Sequence, residues 1–413
     1  MNMKNWDSLL AVSLIISMLC FVYPLGAQVA GPGKGNIKIG PLEVHPFVGL
    51  TETYNDNVYR NYGNLKSESD LITTLSPGVQ LFLPLQRHNV QLNYRADVNW
   101  FSNNSGTNYA NQRVGGEVNL DFPGGLIFGL SDYYADAKIP RKAKNGNNSS
   151  SDPFRELPYT ANDFNVMAKY RFVDRWAVEG RYNNYDYAYK NNFDEGGNYK
   201  RDLFGGSLYY RFTPKIDALA DYNYAKTKYK TATFNDNKDH SAYVGLSFDP
   251  TSKLRGYAKV GWAQKEYDNS LARRNNTFST FSSLINVTYT LSRYDGLTFI
   301  ANRQILEDVD TNAPYTSTDV SLWYRHILAW NEKVSLNANA GYGTGKFEQS
   351  TTDIDGAIKT RDDKKYYVGA GVGYALQRWL NLGLNYSYTN NDSNFLNYNY
   401  KENKVWVSAV AAF

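Results

Sequence analysis

Residues 90–100 read VQLNYRADVNW, and their polarity alternates at every step. Val90, Leu92, Tyr94, Ala96, Val98 and Trp100 form one set, and Gln91, Asn93, Arg95, Asp97 and Asn99 the other. Neighbouring side chains on an extended strand point to opposite faces, so the stretch predicts a strand with one apolar and one charged wall. The pattern recurs in runs starting at Trp176, Ile216, Val334 and Leu380, each with an aromatic near one end of its apolar set. Runs of this period continue from about Glu43 to the last residue and amount to about 18 strands, within a range of 16–18.

The connections between runs alternate in length. Pro123-Gly124-Gly125, Thr213-Pro214-Lys215, 249–253 and Gln377-Arg378 are short, whereas 59–69, 102–109, 137–160, 188–198, 306–315 and 349–361 are longer and rich in Asn, Asp, Ser and Lys. Short turns on one side and long loops on the other are the pattern of a transmembrane antiparallel up-and-down β-barrel, an all-β fold. A soluble β-sandwich or propeller would also alternate. The run length, enough to cross ~25 Å at a tilt, and the aromatic ends of the apolar faces favour the barrel.

Composition agrees. Of 413 residues, 35 are Tyr, 20 Phe and 8 Trp, and Tyr and Trp suit a boundary between lipid and water. The mean hydropathy is negative, which argues against a bundle of apolar helices. A net charge of +4 gives no reason to expect a nucleic-acid partner. Lys4, the apolar run Leu9–Tyr23, Pro24 and Leu25-Gly26-Ala27 read as a secretory signal, with cleavage after residue 27. An uncleaved anchor or a lipoprotein at Cys20 is the alternative. The predicted organisation is a signal at 1–27, a periplasmic lead at 28–42 and an outer-membrane barrel at 43–413. Cys20 is the sole cysteine, so the mature chain would have no disulfide and no thiolate metal site. Neither a plug domain nor a passenger domain is expected ahead of the first strand.

The final run, Val405–Phe413, places Val407, Ala409, Ala411 and Phe413 on one face. A terminal aromatic on such a strand resembles the signal read by the outer-membrane assembly machinery, so Phe413 is the expected assembly signal. Near the end of the first strand stands Thr53-Tyr54-Asn55-Asp56-Asn57-Val58-Tyr59. An aromatic followed by Asp-Asn at this place resembles the outer-membrane β-barrel porins often encoded in exopolysaccharide gene clusters. The resemblance implies a channel of the Gram-negative outer membrane that passes a polymer or smaller solutes. It also implies polysaccharide and a periplasmic export protein as partners, and it carries no catalytic residues.

Little in the chain suggests chemistry. His45, His88, His240 and His326 are scattered and lack ligand spacing. Asp239-His240-Ser241 cannot form a triad along one strand, because adjacent residues face opposite ways. Asp353-Ile354-Asp355-Gly356 has part of a calcium loop without its closing Glu, and reads as a turn. No enzyme activity and no cofactor is expected. The charged faces of the strands are more informative. They predict a lumen lined by Arg95, Asp97, Arg113, Glu117, Asp121, Lys169, Arg171, Glu179, Arg181, Arg211, Asp217, Asp221, Arg255, Lys259, Asp319 and Arg325. Such charges require water or dense pairing. The longest connection, 137–160, carries Lys138, Arg141, Lys142, Lys144 and Arg155 against Asp152 and Glu156, and is expected either to fold inward and narrow the pore or to remain a surface loop. A general diffusion porin, or a structural or adhesive barrel with a blocked lumen, is the alternative function.

Overall fold

In the computed structural model, residues 37–62, 66–139, 157–190, 197–231, 236–249, 252–268, 276–308, 313–353 and 355–413 are described. The expected signal at 1–27 lies outside them, as does most of the 137–160 connection. The strands are β1 Ile37–Ile39, β2 Leu42–Asn55, β3 Asp70–Leu85, β4 His88–Phe101, β5 Tyr109–Asp121, β6 Leu126–Ile139, β7 Leu157–Val173, β8 Trp176–Tyr189, β9 Tyr199–Thr213 and β10 Ile216–Tyr229. They continue as β11 Asn237–Phe248, β12 Leu254–Tyr267, β13 Thr277–Thr290, β14 Asp295–Glu307, β15 Pro314–Ile327, β16 Val334–Thr352, β17 Ile358–Gln377, β18 Leu380–Ser393 and β19 Tyr400–Ala412. Each of β2 to β19 pairs antiparallel with the next, and β19 pairs with β2, closing an 18-strand barrel. The three-residue β1, inside the segment read as a lead, folds back on the start of β2.

The period-two reading carries over residue by residue. Leu92, Tyr94 and Trp100 of the opening stretch are exposed, as are Val178, Leu208, Val244, Val260, Leu384 and Val407 on the same face of other strands. The opposite face holds the buried polar side chains, among them Ser131, Glu179, Ser207, Asp221, Lys259, Ser282 and Asn385. Contacts between strands that are not neighbours, such as Lys259 of β12 with Asp221 of β10, also lie on that face, which must therefore be the concave one. Gly124 and Gly125, at φ +92° and +88°, make the short β5–β6 turn, a backbone that residues with a Cβ rarely adopt. The 349–361 segment, read as a loop, is mostly strand: β16 and β17 run on to Thr352 and from Ile358 across a register shift. Above the lipid both faces of a strand meet water, so polar composition there no longer distinguishes loop from strand.

Closure rests on the Asn55-Asp56-Asn57 stretch. The β19–β2 ladder runs from Lys404↔Asn55 to Ala412↔Phe47, and the Phe413 amide donates to the Pro46 carbonyl at 3.0 Å. Beyond the ladder, Asp56 accepts from the backbone and side-chain amides of Asn403, both at 2.7 Å. Asn57 is fully buried, donates to the carbonyls of Lys401 and Asn61, and accepts from the Asn61 amide. Asn55 donates to Glu402 at 3.1 Å. At the opposite end Phe413 stacks on Trp379, with centroids 5.8 Å apart.

Two outcomes follow. Asn57→Ala leaves several buried polar groups at the closing seam without partners and is expected to destabilise the barrel by about 1–3 kcal/mol, read by urea titration in lipid vesicles. Leu384→Arg puts a guanidinium into the apolar band and is expected to cost about 2–4 kcal/mol in the same titration, whereas Asn381→Arg, on the concave face of the same strand, is expected to cost much less.

Candidate functional site

The concave face carries the buried polar and charged side chains, and its two sides differ. Across β7–β12 it is a bonded lattice. Arg181 donates to Glu179 at 2.6 Å, Ser207 at 2.7 Å, Asp221 at 2.5 Å and Asn223 at 3.0 Å. Asp221 also accepts from Lys259 at 2.7 Å and from Ser207 at 3.0 Å. Glu179 accepts the Tyr209 hydroxyl at 3.0 Å, and the Lys169 ammonium lies 3.5 Å over the Tyr209 ring and 3.8 Å from Glu179. Nearer the β7–β10 turns, Asp217 pairs with Arg171 at 3.2 Å and Arg211 at 3.7 Å. Burial of these charges is tolerable because each cation meets a carboxylate and the remaining lone pairs are taken up by hydroxyls and amides.

The other residues expected to line the lumen are more dispersed. Arg95 bonds Asp97 at 2.7 Å, and Ser76 donates to Asp97 at 2.6 Å. Arg113 stands directly across from Arg95 in the β4–β5 register. Glu117 accepts from Tyr133, Asp319 accepts from Tyr367, and Asp121 pairs with Arg87. Arg255 and Arg325 are exposed on the concave face near the short-turn end.

Over the short-turn half of β16 through β18 the face changes character. Ser335, Asn337, Asn339 and Gly341 of β16, Gly369, Gly371 and Gly373 of β17, and Asn381, Gly383, Asn385 and Ser387 of β18 occupy successive inward positions. No charged side chain stands among them. A Cβ built on Gly371 would lie 2.1 Å from Asn385 Oδ1 and 2.6 Å from Asn337 Nδ2, and one on Gly369 would lie 2.5 Å from Asn339 Oδ1. The amides therefore lie flat over the glycines, and the wall is low.

At the long-loop end the barrel is crossed. The β13–β14 ladder holds from Thr290↔Gly296 only to Ser283↔Arg303, while β14 stays paired with β15 through Glu307↔Pro314. Beyond Arg303 the outer end of β14 parts from β13 and stays paired with β15, which itself remains laddered to β16 as far as Tyr315↔Phe347. Glu307 then reaches Tyr229 of β10 and Asn237 of β11, both at 3.0 Å, and Lys265 of β12 at 3.4 Å. Its neighbour Asp308 pairs with Arg361 of β17 at 3.1 Å. Arg361 in turn is held by Asp363 and lies over the rings of Tyr398 and Phe347. Two consecutive residues thus tie β10, β11 and β12 to β17, strands five to seven places apart around the barrel. Asp308, Ala313 and Pro314, the described residues on either side of 309–312, are buried. Where the ladder stops, the Arg303 guanidinium spans the gap, donating to the Phe281 carbonyl at 3.2 Å, to Thr280 at 3.2 Å and to Thr318 at 2.8 Å. The sequence reading treated 306–315 only as one of several long loops, and the cue it passed over is Glu307-Asp308, two carboxylates at a strand end.

The remaining motifs are accounted for. His240 contacts Tyr222 at 2.8 Å on the convex face, while Asp239 bonds Lys265 on the concave one, so the two diverge. Asp353 accepts from Lys359 at 2.8 Å in a tight turn, and no cluster of metal ligands occurs among the described residues.

A closed 18-strand barrel with an apolar belt and a polar, narrowed interior is an outer-membrane barrel of the porin type. The family model described as "Putative beta-barrel porin 2" matches residues 33–413, and the chain belongs to that family. No curated protein matches the sequence. Among solved structures, the outer membrane protein opdK from Pseudomonas aeruginosa is similar at 11% identity and TM-score 0.46, covering 90% of this chain and 98% of that one. Pseudomonas aeruginosa OccK2 (OpdF) gives 11% identity and TM-score 0.48, with 90% and 98% covered. The FrpB iron transporter from Neisseria meningitidis gives 9% identity and TM-score 0.47, with 89% and 64% covered.

Asp221→Ala strips two buried cations of their shared carboxylate and is expected to destabilise the folded barrel by about 3–5 kcal/mol. Adding Lys259→Met in the same chain is expected to recover part of that loss in the urea titration, because one stranded charge is then gone.

Proposed function

We propose that this barrel passes hydroxyl-rich solutes of the polysaccharide class across a Gram-negative outer membrane, with the β14–β15 hairpin as its constriction. The observation that carries the reading is the combination of a polar concave face with a hairpin tied across one mouth by Glu307 and Asp308. An 18-strand barrel is wide enough to leave an aqueous path unless something fills it, and here the filling is a discrete element. The Thr53–Tyr59 resemblance supplies the polymer. Transport of this kind requires no reacting group: wall dipoles, water and charge set what passes, and a gradient or a partner drives it.

In this reading the residues predicted to line the lumen divide the work. Lys169, Glu179, Arg181, Asp221 and Lys259 hold one wall rigid, while Arg255 and Arg325 meet the solution at the periplasmic mouth. A signal peptide delivers the chain to the periplasm, Phe413 and its strand present it to the assembly machinery, and a periplasmic export protein hands over the polymer. The ties at the mouth also favour a second reading, a barrel shut at rest that opens only with such a partner.

Planar-bilayer recording tests both. Glu307→Ala combined with Arg361→Ala frees the hairpin from both sides and is expected to raise single-channel conductance severalfold over the parent chain. A parent that conducts poorly and a variant that conducts well would indicate a barrel shut at rest. Absence of conductance in both would overturn the channel.

A further inference from the structure

The inward asparagines are treated differently on the two sides of the barrel. On the lattice side they are bonded: Asn183 to Asp163 and Asn165, Asn223 to Arg181, Asn237 to Glu307. On the short-turn half of β16 and β18 they are not, although farther out on β18 Asn391 donates to the Tyr398 carbonyl at 2.6 Å. Asn337, Asn339, Asn381 and Asn385 have no side-chain hydrogen-bond partner among the described residues, and Asn385 Nδ2 is buried without an acceptor. Across the β18–β19 register from Asn385 is Trp406, whose buried indole N–H likewise has no acceptor. A buried donor left unpaired costs about 1–3 kcal/mol, so Asn385 and Trp406 are the two positions where a ligand or water gains most, while Asn337, Asn339 and Asn381 are half-buried beside them. Because these amides give up no internal bond, turning one from its glycine towards a solute costs only its rotamer.

From this juxtaposition we infer that the β16–β18 wall is a contact track for an uncharged, hydroxyl-rich chain. It rests on the channel reading for its direction but not for its binding. Amides offer a donor and an acceptor each, which suits hydroxyl groups that are both. The glycines keep the track flush, so that a chain can shift from one amide to the next without a steric step. An anionic polymer would require a surplus of cations along the same path, and the inward positions from Ser335 to Gly341, Gly369 to Gly373 and Asn381 to Ser387 carry none.

The test uses the full chain folded in detergent, titrated with maltohexaose and with a size-matched polyuronate, binding being read by saturation-transfer NMR. Maltohexaose is expected to bind more tightly than the polyuronate, and the triple variant Asn337→Ala, Asn339→Ala, Asn385→Ala to lose about tenfold in affinity. Gly371→Ala is the second variant. Its Cβ would displace both Asn385 and Asn337 from their flat positions, and a changed maltohexaose affinity is expected even if the triple variant fails to fold. Unchanged affinity in every folded variant, or tighter binding of the polyuronate, overturns the track. Maltohexaose binding with the expected losses but no bilayer conductance would retain the track and overturn only the channel; conductance without maltohexaose binding would do the reverse.

Discussion

The meeting of the first and last strands is the constraint on which everything else in this molecule depends. In hydrocarbon no water is available to satisfy an open sheet edge, so a sheet that crosses a membrane must close. Closure here is more than the β19–β2 ladder. Asn55, Asp56 and Asn57 extend it past the last strand pair by bonding Glu402, Asn403 and the Lys401 carbonyl. The residues that made the sequence resemble a family are therefore the clasp of the barrel. Their chemistry is structural: each of these side chains is committed to the seam between the first and last strands.

Once the sheet is closed, the two-residue period assigns every side chain to lipid or lumen, and the lumen inherits the charges. The β7–β12 side answers their desolvation with dense pairing, and Arg181 alone engages four partners on three strands. Over its short-turn half the β16–β18 side answers the same problem by omitting charge and using glycine and asparagine, with Arg361, Asp363 and Lys365 confined to the outer half of β17. One wall is stiff because its groups are mutually committed, and the other is adaptable because its groups are not. That asymmetry gives an inside surface with a preferred side.

Much of the fold was legible because lipid imposes a simple code. The alternation at 90–100 marks a strand, and its recurrence gives the strand number. Turns such as Pro123-Gly124-Gly125 follow from backbone preferences local to three residues. Legibility failed where lipid ceases to impose the code. At 349–361 the chain is polar on both faces because β16 and β17 rise beyond the bilayer, and composition alone read it as loop. The interior was legible as a list and not as a site: Arg181, Asp221 and Lys259 are 40 and 38 residues apart in pairs, and nothing local to any of them shows that one carboxylate serves both cations.

The hairpin is the clearest case of a feature decided by distant partners. Residues 304–307 of β14 could have continued the ladder with β13, and by period Glu307 would then have faced outward, towards lipid or headgroups. A carboxylate there has nothing among its strand neighbours to pair with. Turned inward, it meets Lys265, Tyr229 and Asn237, and Asp308 meets Arg361. The exchange sacrifices the ladder between β13 and the end of β14, and Arg303 compensates by donating to the carbonyl and hydroxyls at the break. The balance is between a few neutral backbone bonds and several charge-assisted ones, which are individually about twice as strong. The pairs that hold this end of β14 are largely buried and therefore little screened by salt, so the strand end is fixed by partners on β10 to β12 on one side and on β17 on the other.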